Sequence, residues 1–350
     1  MKEAMTIGNH PVGPGHPVFV VAEMSANHGG DFDRAVALIR AMKESGADAV
    51  KLQTYTADTL TLKSGKEHFR IGRGTVWEGR TLYDLYEEAH TPWDWHKRLM
   101  EAAAEEGLEF FSTPFDDISV DFLEELNVPA YKIASFEIVD IPLIMRVAAT
   151  GKPLILSTGM ATRGEIREAV SAGAGEGCDC MALLKCASAY PASCEDMNLR
   201  TIPDMAREFG TIVGLSDHTL GTAVPVAAVA LGACIVEKHF TLSRNVRGPD
   251  SAFSLEPSEF RQMVDAVRMV EKALGDVSYE PTEHEKASRL FRRSLFVVQD
   301  VKAGEPFTEQ NVRSIRPGYG LPPKYLDIVL KKRAARNITR GMPLSWDVLL

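Results

Sequence analysis

The chain has no apolar run of 18 residues, and its opening stretch, MKEAMTIGNHPVGPG, holds no apolar core of signal-peptide length. Neither a membrane-spanning helix nor a secretory leader is expected, and the protein reads as cytoplasmic. A basic excess is missing as well: 39 Lys and Arg stand against 48 Asp and Glu, a formal net charge of −9. That balance excludes a general nucleic-acid binder, which needs a basic surface. Any anionic ligand must then meet cations that are gathered locally. Cysteine is scarce. Its five positions, 178, 180, 186, 194 and 234, are odd in number and form no regular framework, which argues against structural disulfides. Cys178-x-Cys180 lacks the second pair that a zinc site needs, so reduced thiols are expected. With 45% hydrophobic and 25% charged residues in 350, the chain can bury a large core and a smaller one.

What is present is a rhythm. Short β-branched or apolar runs at Val18–Met24, Ala49–Gln53, Glu109–Thr113, Ala130–Ala134, Pro153–Ser157, Met181–Cys186, Ile212–Ser216 and Ile235–His239 alternate with helical patterns. The segment 33–46 sets Val36, Ile39 and Met42 on one face and closes on Gly46; 260–275 closes in the same way on Gly275. Eight such units predict a (β/α)8 TIM barrel over 18–275, with a doubly wound sheet as the other arrangement compatible with the pattern. Residues 1–17 form an N-terminal extension or hairpin. Between Gln53 and Glu109 the chain inserts a long loop, 63–86, of the size that lids use. Its Arg70, Arg73 and Arg80 could meet an anion or stay solvated.

The ends of the runs carry the chemistry. A polar side chain inside a core is costly, whereas the C-terminal ends of barrel strands are where catalytic groups collect. Here those ends hold Glu23, Lys51 with Gln53, Thr113, Lys132 with Ser135, Ser157, Lys185 with Ser188, Ser216 with His218, and Glu237 with His239. Any one of these could be a satisfied hydroxyl or an ion pair; eight strands ending alike is hard to ascribe to packing. Alternation puts Lys51 and Gln53 on one face, likewise Ser216 and His218, and Glu237 and His239. Lys238 then points to the helices as a structural residue. Lys51, Lys132 and the hydroxyls of Thr113, Ser135, Ser157, Ser188 and Ser216 make a cationic bowl suited to a phosphate. His218 and His239 end adjacent strands and could hold a divalent metal with open positions, with Asp217 as hydrogen-bond partner to a metal-bound imidazole. Glu23 and Glu237 could move protons, orient hydroxyls or stabilise a cation.

After Gly275 comes a charged linker, 276–291, and then a stretch of short strands and turns over 292–350. Val301-x-x-Gly304-x-Pro306 is echoed by Ile338-x-x-Gly341-x-Pro343, the mark of a small duplicated β unit. Arg316, in RPGYG (316–320), would be presented by a rigid loop.

Taken in order, AEMSANHGGD (22–31), VKLQTY (50–55), STPFD (112–116), YKIAS (131–135), ILSTGM (155–160), KCASAYPA (185–192), GLSDHT (214–219) and EKHFT (237–241) resemble the sialic acid synthase family over nearly the whole chain. LYDLYEEAHTPWDWH (82–96), EDMNLR (195–200) and DSAFSLEP (250–257) are similar to its pseudaminic acid synthase branch. Ser251 stands where animal-type members more often have His, and RGP (247–249) departs from the pseudaminic pattern. The resemblance implies a barrel followed by an antifreeze-like (SAF, β-clip-type) domain. It implies metal-dependent condensation of phosphoenolpyruvate with an acetamido sugar, 2,4-diacetamido-2,4,6-trideoxy-L-altropyranose in that branch. Lys51, Gln53, Thr113, Lys132, Ser135, Ser157, Ser188 and Ser216 would hold phosphoenolpyruvate. His218 and His239 would bind Mn2+ or Mg2+. Glu23 would lie near the reacting carbons, with Glu237, Tyr190 and Asp250 in proton transfer or sugar contacts. A domain-swapped homodimer would bring Arg316 to the partner's sugar. An N-acetylneuraminate or legionaminate synthase, and a non-catalytic sugar-phosphate sensor, are the competing expectations.

Overall fold

The computed structural model describes residues 4–246 and 248–350. Arg247, part of the RGP stretch, and the first three residues of the N-terminal extension lie outside them. The chain divides into two compact units after Gly275.

The first unit is a closed barrel. After a hairpin of β1 (Met5–Ile7) and β2 (His10–Val12) come eight parallel strands, β3 (Phe19–Glu23), β4 (Ala49–Thr54), β5 (Glu109–Pro114), β6 (Tyr131–Ile133), β7 (Leu154–Ser157), β8 (Met181–Cys186), β9 (Ile212–Asp217) and β10 (Ile235–His239). They pair in chain order, and β10 closes the ring on β3. The TIM-barrel expectation is therefore met, and the doubly wound alternative is not. The β-branched and aliphatic residues of each run suit strands covered on both faces. Outward side chains such as Val20, Val50, Leu183 and Val236 pack against the helices. Inward ones, including Phe19, Val21, Ala49, Phe111, Ile155, Leu184 and Ile235, fill the lower barrel. Met5, Ile7 and Val12 of the hairpin join that inner cluster and seal its floor.

Helices follow the strands as the periodicity predicts, with one adjustment. The helix Phe32–Glu44 buries Ala35, Leu38, Ile39 and Met42, so Val36 lies at the edge of the stripe. The chain turns at Gly46, whose φ of +91° is open to glycine at little cost.

The second unit has its own core of Leu295, Val297, Val301, Phe307, Val312, Ile338 and Leu344, among others. Its hairpin pairs β11 (Ser294–Val297) with β12 (Val312–Ile315). The two echoed segments meet: Val301 and Ile338 exchange backbone hydrogen bonds of 2.9 and 2.8 Å. The charged stretch before it is not all linker. Thr282 and Glu285 form a reciprocal capping box and start a short helix, Glu283–Ser288.

Candidate active site

Beyond the apolar layer, the inward-facing positions turn polar. In β3 the alternation Phe19, Val21 ends in Glu23; in β4 Ala49 is followed by Lys51 and Gln53; in β10 Ile235 is followed by Glu237 and His239. A single network joins them. Lys51 Nζ lies 2.8 Å from Glu23 Oε2 and 3.3 Å from Glu237 Oε1, and it donates to Thr113 Oγ1 at 3.3 Å. Gln53 Nε2 donates to Glu23 Oε1 at 3.1 Å. Glu237 Oε1 also accepts from Ser216 Oγ at 3.1 Å and lies 3.9 Å from Lys132 Nζ. Lys132 Nζ in turn donates to Ser157 Oγ at 2.6 Å. All of these except Gln53 are buried.

The two carboxylates are driven apart by their surroundings. Burial raises Glu23 above the usual range, and Glu237 adds to this while Lys51 opposes it. Burial works on Glu237 as well, but Lys132 and Lys51 outweigh it and hold this carboxyl low. Their acidities thus diverge, Glu23 upward and Glu237 downward, as environments do when they give two carboxyls different tasks. Lys132 is pushed down to about 8 by burial, against the pull of Glu237.

Beside this network is a cradle of hydroxyls. The Gly159 N–H donates to Ser135 Oγ at 3.1 Å. A Cβ on Gly159 would lie 2.1 Å from Ser188 Oγ and 2.7 Å from Ser135 Oγ, so the hollow depends on the missing side chain. Lys132, Ser135, Ser157, Ser188 and this backbone N–H supply the point charge and donors that a phosphate takes.

The two imidazoles stand with ring centroids 5.3 Å apart. His218 Nδ1 meets the Ala187 carbonyl at 3.1 Å, which leaves Nε2 as its ligand atom. His239 Nδ1 is buried without a hydrogen-bond partner. Burial, then His218, keep the His239 imidazole well below its usual range and therefore neutral, the form that offers a lone pair. Among the described residues no three His, Cys, Asp or Glu groups converge as a full metal cage. The pair fits a divalent ion held by two imidazoles, with its remaining positions left for substrate and water.

Asp250 lies at the same mouth. It accepts a hydrogen bond from Ser25 Oγ, two residues beyond Glu23, and burial raises its carboxyl. Ser25 has a φ of +44°, a left-handed backbone uncommon for serine. Tyr190 packs its ring 4.4 Å from His218.

Not every expectation holds. Asp217 contacts neither imidazole: it faces the helices, where Lys238 Nζ binds it and the Thr219 N–H donates to it at 3.0 Å. Residues adjacent in a strand face opposite sides, so the neighbour of His218 in sequence is not its neighbour in space. Lys185 is outward for the same reason, and Cys186 takes the inward position, 3.7 Å from His218 Nδ1. Burial raises the Cys186 thiol, but His218, Ser135 and Lys132 bring it down to about 7. Arg80 is paired with Glu88 at 2.6 Å, while Arg70 and Arg73 are exposed. Arg316 is an exposed residue of the second unit.

Cys186 was missed although the alternation Ala182, Leu184, Cys186 points to it. Glu137 was missed as well. It sits in the 3-10 turn Ser135–Glu137, its Oε2 has no hydrogen-bond partner, and burial raises it to about 7. Only the offset of five residues from Lys132 could have signalled it, and that offset is specific to this turn.

A model of the NeuB family matches residues 38–279, and a SAF domain model matches residues 292–350. The pseudaminic acid synthase of Campylobacter jejuni (strain 81-176) is 47% identical over 94% of this chain and 95% of its own length. That of Helicobacter pylori (strain 26695) is 45% identical over 95% and 97%. The crystal structure of an N-acetylneuraminic acid synthetase from Leptospira borgpetersenii, in complex with citrate, superposes with a TM-score of 0.73 at 33% identity, covering 82% of this chain and 95% of that one.

Proposed function

This chain belongs to the NeuB family, and from that premise we propose that it is a pseudaminic acid synthase, condensing phosphoenolpyruvate with 2,4-diacetamido-2,4,6-trideoxy-L-altropyranose and water to give pseudaminic acid and phosphate. The observation that carries this reading is the juxtaposition of a lysine-and-hydroxyl bowl with a histidine pair, one of whose buried nitrogens has no protein partner. A sugar-phosphate sensor would have no use for two carboxyls of opposed acidity beside that pair.

Lys51, Lys132, Gln53, Thr113, Ser135, Ser157, Ser188 and Ser216 bind the phosphate and carboxylate of phosphoenolpyruvate. The lysines also offset the charge of Glu237, which would otherwise repel that anion. His218 and His239 would hold Mn2+ or Mg2+, which supplies Lewis-acid polarisation of the sugar's aldehyde oxygen. In the reaction the enol C3 bonds to the aldehyde carbon, water adds at C2, and the C–O bond to phosphate breaks. Glu23 is positioned to hold or deliver a proton beside the reacting carbons or to stabilise positive charge at C2. Glu237 keeps Lys51 and Lys132 in place. Tyr190 and Asp250 face the sugar.

We further propose a domain-swapped homodimer in which Arg316 reaches the partner's sugar. Large apolar side chains are exposed in the loops after β6, β7 and β9, at Phe136, Met160 and Leu220. These are loops at the barrel mouth, and a covering domain would bury them. Among the described residues no helix is long and apolar enough to cross a membrane. A cytoplasmic location, without nucleic-acid or membrane partners, goes with the proposed reaction.

The test supplies phosphoenolpyruvate, a divalent metal and either the diacetamido sugar or N-acetylmannosamine. Phosphate release and a nine-carbon acid are expected with the first sugar at the higher kcat/KM. Preference for N-acetylmannosamine would move the assignment to the sialic acid branch, which the Leptospira relative represents. No release with either would remove the synthase reading. In the same series His218→Ala and His239→Ala should abolish Mn2+ binding measured calorimetrically without substrates.

A further inference from the structure

The inserted segment between β4 and β5 carries Trp77 across the barrel mouth. Its indole N–H donates to the Pro249 carbonyl at 2.9 Å, 172 residues further along the chain. Its ring lies 5.5 Å from Tyr190 and 6.4 Å from Phe253, which are themselves 5.1 Å apart. Tyr190 touches His218 at 4.4 Å, and Phe253 touches His239 at 5.0 Å. A continuous aromatic wall thus runs from the imidazole pair outward, with Trp77 as its last member.

The outer end of that wall, Trp77 with Phe253, offers no free polar atom. The Trp77 N–H is taken by Pro249, and Phe253 has no polar atom. What the wall offers is carbon and π-face. A methyl group gains by leaving water there, whereas a hydroxyl loses its water without finding a partner. The second reactant starts at the imidazoles with its aldehyde carbon. A six-carbon chain extended from that point spans about 6 Å over its five C–C bonds. Laid along the wall, such a chain would pass its C2 substituent by Tyr190 and Phe253 and bring its sixth carbon towards the Trp77 ring.

We propose that Trp77 is a specificity-determining residue, completing an apolar wall that receives the C6 methyl of the 6-deoxy sugar and disfavours a 6-hydroxyl. The inference rests on the condensing-enzyme reading given above and deepens it. One hydroxyl meeting an apolar pocket is worth roughly 10- to 100-fold in kcat/KM.

The test uses a matched pair of acceptors, 2,4-diacetamido-2,4,6-trideoxy-L-altrose and its 6-hydroxy counterpart, with the full-length protein. Wild type should prefer the deoxy sugar by roughly 10-fold or more. Trp77→Ala should raise KM for the deoxy sugar, leave KM for phosphoenolpyruvate unchanged and bring the ratio of the two kcat/KM values towards one. Trp77→Phe keeps a ring without the N–H tie and should retain most of the preference. A purely structural role for Trp77 would weaken both sugars equally. An unchanged ratio in an active Trp77→Ala protein, or in Trp77→Leu if that variant does not fold, overturns the inference and leaves the synthase reading standing. Wild-type protein that turns over neither sugar overturns both.

Discussion

At the scale of single residues, Lys132 has the most exposed consequence. Its ammonium is buried, bonded to Ser157, and brought down to about 8. Below that pH it carries the charge an enol phosphate needs; above it the charge is lost. The kcat/KM for phosphoenolpyruvate should therefore fall as pH rises through about 8. Once phosphate is bound the ammonium is stabilised, so the corresponding limb in kcat should shift to higher pH. Lys132→Arg, which stays charged, should lose that limb even if its rate is lower. A pH profile of the wild type that is flat from 7 to 9.5 would contradict the assignment.

At the scale of elements, the ends of β9 and β10 are held from behind. Asp217 and Lys238 are fully buried on the helix side, and Lys238 Nζ also donates to the Thr219 carbonyl. This clamp fixes the two strand ends whose other faces carry His218 and His239. Lys238→Met would strand the Asp217 carboxylate without its cation and should cost roughly 3–5 kcal/mol in urea unfolding. Adding Asp217→Asn removes the buried charge and should recover part of the loss. Equal stability of wild type and the single variant would mean that the pair does not support the barrel.

Strands and their polar ends could be read because two simple constraints act there: β-branched runs suit a doubly covered strand, and inward alternation places the last residues in the mouth. The same alternation could have found Cys186, one residue from the outward Lys185, and corrected Asp217, which lies between Ser216 and His218. Trp77, Phe253 and Glu137 could not be found in this way. They reach the site from loops, whose paths depend on tertiary contacts that no local period encodes. The helix Glu283–Ser288 was hidden by its charge, although Thr282 and Glu285 stand at capping-box spacing.

At the scale of the whole molecule, two buried histidines outside the lysine and carboxylate network set the acid limit of the fold. His28 bonds Thr91, and His96 bonds Thr54, both deep between barrel and helices. Burial lowers each to about 4. A folded value below the unfolded one contributes stability that is present above about pH 6.5 and is lost as pH falls through about 4. Each contributes on the order of 3 kcal/mol by that linkage. Urea midpoints should therefore decline steadily from pH 6.5 to 4, and constant midpoints over that interval would show that these imidazoles are not held neutral.

The hairpin packs Met5, Ile7 and Val12 into the apolar floor of the barrel, so the polar positions lie at the opposite end. Ser216 and Glu237 lie one inward step below His218 and His239, about 7 Å nearer the floor along their strands. An acceptor held at the imidazoles would therefore lie over the deeper part of the lysine network, where Ser216 and Glu237 stand. From that depth we expect the enol phosphate to bind before the acceptor, and initial-rate kinetics showing random addition would contradict it.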